Sequence, residues 1–414
     1  MEAIPASVVI VSRDRPDLLR RCLLSVAQLD YPRFEVVVVA CPAGTQVAQQ
    51  IDMPVAKRLV TFDTANISIA RNLGVAETAG DVIAFLDDDS VAEPTWLTHL
   101  LAAFEDQNVA QAGGTTLGRN GISVQHSAAL TNRAGVSQPY PIEGSDPTEI
   151  RADANAFPRL HGTNMAIRRA ALAAIGGFDP LFRFYLDETD ATLRIAQSGG
   201  LTMHVPKAVV HHSSGPSSMR RADRVPLSVF EIAASAAVFH RKHCPVEDRQ
   251  AAKAAFMAER KQWLVQHMNL GTLMPNDALR LIQQLTDGYA EGAAREPVDP
   301  MPIPDASHTI TQRDHRPEHV YLVARPGNRK ATMTRARDMV QTGSQVTVFD
   351  YDMTARYHQV RFTDDGVWLH TGGIFGKERR SEPLFQQSSR AKRVRSTLQR
   401  LHGIRSKPAL VDAT

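Results

Sequence analysis

The sequence predicts an α/β fold built on a parallel sheet covered by helices on both faces. Residues 7–12 (SVVIVS) and 34–40 (FEVVVVA) are short β-branched apolar runs of the kind buried on both sides. After the turn at residues 13–16, Leu18, Leu19, Cys22, Leu23 and Val26 recur at helical spacing. The alternation continues with a weaker strand at 58–62, a helix over 67–79 closed by Gly80 and Asp81, and a strand at 82–86 (VIAFL). Strands that alternate with helices imply parallel neighbours, and ligands then sit beyond the carboxyl ends of the strands. Here those ends are Ser12-Arg13, Ala40-Cys41 and Asp87-Asp88-Asp89.

Residues 113–160 are rich in Gly, Ser, Thr and Asn with little periodicity, and read as loops with short strands. An apolar helical face is expected over 162–174 and a second helix over 187–197, ended by Ser198-Gly199-Gly200. Residues 201–212 (LTMHVPKAVVHH) read as a strand, a proline kink and another strand, and 227–292 as three helices. Five prolines between Pro297 and Pro317, with few bulky apolar residues, mark a linker. Beyond it, 320–324, 330–342 and 345–349 form a small βαβ-like unit. The division expected is therefore 1–215, a helical extension 216–295, a linker 296–318 and a small α/β module 319–414.

At 414 residues the chain has ample material for two or three cores. Its longest apolar stretch, 232–239, is about half what a bilayer needs, so it reads as part of a soluble helix. With 47 basic and 44 acidic residues the net charge of +3 gives no basis for nucleic-acid binding. The three cysteines, Cys22, Cys41 and Cys244, are far apart and lack metal-ligand spacing, which points to a reducing compartment without structural zinc. The opening residues MEAIPAS lack the pattern of a secretory signal, so a cytoplasmic setting is expected.

Three constellations carry chemistry. Asp87, Asp88 and Asp89 end a buried strand, and three adjoining carboxylates repel unless a cation sits among them. The same segment also fits a helix start: Ser90 and Glu93 before Pro94 form a capping-box pattern. The second, Tyr185-Leu186-Asp187-Glu188-Thr189-Asp190, opens a helix, where Asp187 could cap and Asp190 could favour the first turn. The third is His211-His212 at a strand end. A lone histidine there reads as structural.

Taken together, NISIARNLG (66–74), GDVIAFLDDDS (80–90), HGTNMAIRR (161–169), GGFD (176–179), LDETDATLRIAQSGG (186–200) and HVPKAVVHH (204–212) resemble glycosyltransferase family 2, over about residues 5–215. The resemblance implies a GT-A fold, with a Rossmann-like nucleotide half and an acceptor half. It implies an inverting, metal-dependent transfer from a nucleotide-diphosphate sugar of UDP, dTDP or GDP type to a glycan or lipid-linked acceptor, in cell-surface polysaccharide or glycoconjugate synthesis. By the same resemblance Asp87, Asp89 and His212 hold Mn2+ or Mg2+, with His211 the alternative ligand should the register slip. Glu188 aligns with the base, with Asp187 as the alternative because the usual Glu-Asp order is reversed here. Arg13, Arg71, Asn72, Asp87, Asp88, Gly162, Asn164, Asp190, Arg220 and Arg221 are placed around donor and acceptor. Gly162, Gly176 and Gly177 could equally mark turns with positive φ. Arg220 and Arg221, on the Ser/Gly-rich 213–221 stretch, are expected on a lid over the diphosphate. One departure is Ala40-Cys41-Pro42, where the family commonly has an aspartate that reads the base.

Residues 319–414 resemble faintly the opening of a GT-B glycosyltransferase, too short to complete that fold, and read as a docking module without an active site. Seven basic residues and no acidic one between Arg390 and Lys407 fit a solvated helix face, or peripheral contact with anionic lipid at the inner face of the plasma membrane. Two rivals from other classes are a catalytically inactive glycan-binding or scaffold protein of the same fold and a sugar-phosphate nucleotidyltransferase. The second needs a glycine-rich loop where this chain has Ser12-Arg13-Asp14-Arg15-Pro16, and a NAD dehydrogenase fails at the same turn.

Overall fold

The apolar runs pair as expected in the computed structural model, which describes residues 2–313, 317–405 and the backbone of 410–412. The first half runs β1 (Ala6–Ser12), α1 (Pro16–Val26), β2 (Phe34–Ala40), α2 (Pro42–Gln50), β3 (Lys57–Thr61), α3 (Ile67–Ala76) and β4 (Val82–Asp87). The four strands are parallel in the order β3-β2-β1-β4. Every residue of β2 is buried, which explains its unbroken valine run. Helix α3 starts where the Asn66 side chain accepts from the Ile69 N–H, and Gly74 lets it lie close on Val9 and Val39. The carboxyl ends of β1, β2 and β4 therefore share one edge.

The second half adds β5 (Ser90–Ala92), α4 (Trp96–Ala102), β6 (Val109–Leu117), β7 (Val124–His126), β8 (Ala129–Asn132), β9 (Ser137–Pro139), β10 (Thr148–Glu149), β11 (Ala156–Arg159), β12 (Asn164–Arg168), α5 (Arg169–Ala174), α6 (Asp187–Gln197) and β13 (Leu201–His212). The helix expected over 162–174 is corrected: its first part is β12, antiparallel between β4 and β6. A short apolar run inside a sheet is buried on both faces, so spacing alone could not tell strand from helix. The capping-box reading is corrected too. Ser90 lies in a strand, Thr95 precedes α4, and Glu93 bonds elsewhere. The expected kink in 201–212 is a register shift between Val205 and Val209 within one strand, parallel to β6.

Helices α7 (Phe230–His243), α8 (Arg249–Asn269) and α9 (Pro275–Ala294) follow. Gly288 and Gly292 bring α9 against the Phe230 and Ala234 carbonyls of α7, where an added Cβ would lie 2.3 and 2.1 Å away. The proline-rich stretch is not a free spacer. Its His308 Nε2 lies 2.6 Å from Glu35 Oε2 and its Arg313 N–H donates to the Pro32 carbonyl; residues 314–316 of the expected linker lie outside the described residues.

The C-terminal module comprises β14 (His319–Ala324), α10 (Arg329–Gln341), β15 (Gln345–Asp352), β16 (Gln359–Phe362), β17 (Val367–Gly373), α11 (Arg390–Leu401) and β18 (Leu410–Asp412), in sheet order β16-β17-β15-β14-β18. It is docked, not tethered. Val360, Phe362 and Trp368 form a buried cluster with Val91, and Gln345 donates to the Gln28 carbonyl and to Asp30. Arg405, fully buried, donates to both Glu93 oxygens at 2.6 and 2.8 Å, and Glu93 Oε1 is 2.8 Å from His211 Nε2. Among the described residues no helix is long and apolar enough to cross a membrane.

Candidate active site

The end of β4 turns back into β5, and this tight reversal crowds three carboxylates with different fates. Asp88 points into the protein, where it accepts from Ser12 Oγ at 2.7 Å and from the Arg15 guanidinium. Burial pushes its carboxyl up to about 7, against the pull of Arg15. Asp89 is held well below the usual carboxylate range: burial opposes its charge, but His212, Arg15 and the Gly215 N–H outweigh burial. Asp87 stays partly open and accepts from Thr163 Oγ1 at 2.6 Å.

Strand β13 delivers His212, which pairs with Ser90 of β5 directly after the aspartate turn. Its Nε2 lies 3.1 Å from Asp89 Oδ1, and its Nδ1 lies 3.3 Å from Gln125 Oε1. Ligand atoms of Asp87, Asp89 and His212 fall within 4.8 Å of one another. Two carboxylates and an imidazole, the ring held at Nδ1 by an amide oxygen so that Nε2 faces the carboxylates, are a donor set that fits a divalent cation. His211 faces away, towards Glu93 and the Trp368 ring, so the register does not slip.

Tyr185 and Leu186 both have positive φ, and this strained corner starts α6 abruptly. Asp187 does not cap the helix. It is buried against the Arg71 guanidinium, which also reaches Asp87 Oδ1 at 3.6 Å. Glu188 lies beside Arg159, whose guanidinium donates to Oε1 at 3.2 Å. Burial raises the Asp187 carboxyl to about 8, even against Arg71 and with Glu188 adding to the rise. Glu188 goes the other way, down to about 2, because Arg159 and then Arg71 overcome its burial. Of the pair, Glu188 is the one held ionised.

Arg71 thus bridges the aspartate turn and the start of α6, and Gly162 makes room for it: a Cβ there would lie 2.4 Å from the guanidinium. Gly176 and Gly177 have positive φ, and Gly162 is set by close approach instead. Arg220 closes the third side, donating to the Gly215 carbonyl at 3.0 Å and lying 3.4 Å from Asp89 Oδ2.

Other residues singled out from the sequence lie apart from this group. Asp190 is buried among His243, Lys242 and Arg194, and its expected place beside substrate is corrected: the helix turns it into the core. Asn164 bonds Trp96 Nε1 and the Ala208 carbonyl, and Asn72 holds the Phe178 backbone, so both brace the site from behind. Arg13 is at the surface with Asp63, and Arg221 pairs with exposed Asp223. Sequence reasoning missed Arg15, Arg159, and the rings of His126 and His161, stacked at 4.2 Å. Burial above all lowers those imidazoles to about 4 and about 3, and both feel the Glu188 charge. The HGTN motif contained His161, but a single histidine at a turn carried no signal of its partner.

Residues 7–176 match the family model described as Glycosyl transferase family 2, a stretch that holds the aspartate turn and ends before Asp187. The chain is 27% identical over 117 residues to a glucosyl-dolichyl phosphate glucuronosyltransferase of Haloferax volcanii, covering 28% of this chain and 36% of that protein. It is 27% identical over 221 residues to the succinoglycan biosynthesis protein ExoM of Rhizobium meliloti, covering 51% of this chain and 67% of the relative. A mannosyltransferase structure from Pyrobaculum calidifontis aligns with a TM-score of 0.42 at 15% identity, over 71% of this chain and 88% of that one.

Proposed function

Starting from a chain whose residues 7–176 match the glycosyl transferase family 2 model, we propose that it transfers a sugar, with inversion, from a nucleotide-diphosphate sugar to a hydroxyl of a glycan or lipid-linked acceptor. The single observation that carries this reading is the Arg71 bridge. It joins Asp87 to the start of α6, so that the Asp87, Asp89 and His212 group and the ionised Glu188 both neighbour one guanidinium.

The division of labour follows from charge. A departing diphosphate needs positive charge, and Arg220 and Arg15 stand beside Asp89 to provide part of it. Asp87, Asp89 and His212 would hold Mn2+ or Mg2+, which supplies the rest as a Lewis acid. Inversion requires a proton acceptor on the face opposite the leaving group. Glu188 suits that role, being ionised at neutral pH and partly open, whereas Asp187 is closed off by Arg71. The acceptor hydroxyl gives its proton to Glu188 as its oxygen attacks the anomeric carbon. Asp14 and Asp63 flank Cys41 at the neighbouring strand ends and offer carboxylates where Ala40 has none.

The relatives' names support surface-glycan or lipid-linked chemistry: one is a glucosyl-dolichyl phosphate glucuronosyltransferase, another a succinoglycan biosynthesis protein. The test is a turnover screen of UDP-, dTDP- and GDP-sugars with Mn2+, Mg2+ or EDTA. Glu188→Gln is expected to lower turnover by about 10²- to 10⁴-fold with donor binding retained, the range of a lost general base. Unchanged turnover in this variant removes the assignment, and a parent protein that binds donors without turnover favours a scaffold.

A further inference from the structure

A second cavity, of about 560 Å3, lies where the C-terminal module meets the catalytic domain. Glu93, Gly121 and His211 wall it on one side, and His358, His370 and Arg400 on the other. Its apolar floor includes Ile122, Leu401 and Ile404, and exposed Arg379 and Arg380 line it too.

Charge in this cavity does not cancel. Glu93 is taken up by Arg405 and His211. Glu378 is saturated by Arg393, Arg400, Ser396 and Thr397. Glu382 Oε2 accepts from the Arg379 backbone N–H at 3.1 Å, but among the described residues no carboxylate oxygen lies within 4.0 Å of the Arg379 or Arg380 guanidinium nitrogens, and both residues line the cavity.

Two buried imidazoles leave the same wall short of acceptors. His358 and His370, each 1% exposed, stand end to end with Nε2 and Nδ1 3.1 Å apart. Guanidiniums hold the outer ends: Arg405 lies 3.1 Å from His370 Nε2, and Arg393 lies 3.4 Å from His358 Nδ1. Burial and these cations keep both rings neutral. Two neutral imidazoles carry two N–H groups. One fills the bond between the rings, so the other must face a guanidinium N–H whichever way the protons are placed. The wall is short of acceptors, and a buried donor without an acceptor is costly.

We propose that this cavity binds a phosphate-bearing molecule, its phosphate on Arg379, Arg380 and Arg400 and its remainder against the apolar floor. A phosphate group offers several acceptor oxygens and negative charge, the two things this wall lacks, and guanidiniums match its geometry. The volume suits a small-molecule site. A free phosphorylated metabolite and a phospholipid headgroup share this chemistry, and experiment separates them.

The test is calorimetry with inorganic phosphate on the full chain in EDTA, comparing the parent with Arg379→Ala/Arg380→Ala and with Arg220→Ala. The first variant changes only exposed side chains. Its phosphate affinity is expected to fall at least tenfold, while Arg220→Ala keeps the parent value. Sedimentation with phosphatidylglycerol or phosphatidylcholine vesicles runs in parallel. Capture by the anionic vesicles alone, lost in the double variant, assigns a headgroup. Phosphate binding without vesicle capture assigns a free metabolite. Absence of both overturns the proposal. So does phosphate binding that survives in the double variant, or that disappears with Arg220. None of these readings requires turnover, so they stand apart from the catalytic assignment.

Discussion

Arg71 is a buried cation serving two carboxyl groups from distant parts of the chain, and its removal takes a hydrogen-bond donor from Asp187, whose carboxyl burial already raises to about 8. Arg71→Ala is expected to cost about 1–3 kcal/mol in urea unfolding, the usual penalty for leaving a buried polar group without its partner. Asp190 makes a pH prediction. His243, Arg194 and Lys242 hold its carboxyl well below the ordinary range despite complete burial. An unfolded aspartate takes up its proton near pH ~3.9. The stabilisation from Asp190 is therefore complete above that value and is lost as pH falls through the lower folded value. Melting temperatures measured from pH 6 down to pH 2 should drop, and Asp190→Asn should start lower with a flatter acid limb. At this scale the sequence spoke through types and missed through partners. The Asp87, Asp89 and His212 grouping was legible because their spacing resembles a known pattern. Arg15 and Arg159 were not, because an arginine in a turn or strand looks the same whether it meets water or a carboxylate.

Among elements, the contact of α7 with α9 depends on two glycines. An alanine methyl at Gly292 would press on the Ala234 carbonyl, and relief requires the helices to part. Gly292→Ala should destabilise the chain by about 1–3 kcal/mol in denaturant unfolding, as overpacking does. The segment between β13 and α7 gives a sharper contrast. Arg220 touches Asp89, whereas Arg221 pairs with Asp223 at the surface. Arg220→Ala should raise the donor KM about tenfold and Arg221→Ala should leave it near the parent value; equal effects would mean that the segment acts as a whole. Strands β1, β2 and β4 were readable because burial on both faces leaves an unmistakable run. Strand β12 was not, since Met165, Ala166 and Ile167 in a row suit either periodicity and only the slot between β4 and β6 decides.

For the molecule as a whole, the Arg405 to Glu93 pair is the bolt between module and catalytic domain. Arg405→Ala leaves Glu93 buried without its cation, with an expected loss of about 3–5 kcal/mol. Limited proteolysis should then cut within 296–318 faster than in the parent; an unchanged rate would show that the apolar cluster around Trp368 suffices to hold the module. The composition break at the prolines suggested a linker, but nothing local announced the docking, because Glu93 and Arg405 are 312 residues apart and each has an adequate local explanation. Consecutive side chains of an extended strand point opposite ways. His212 therefore faces Asp89 while its neighbour faces Glu93 at the module interface. Deletion of one residue upstream in that strand would turn His212 towards the module and leave Ser213 beside the carboxylates in its place. Drift on the docked surface is thus constrained by chemistry it never touches, and in a chain lacking such a module the first of the two histidines should be free to vary while the second should not.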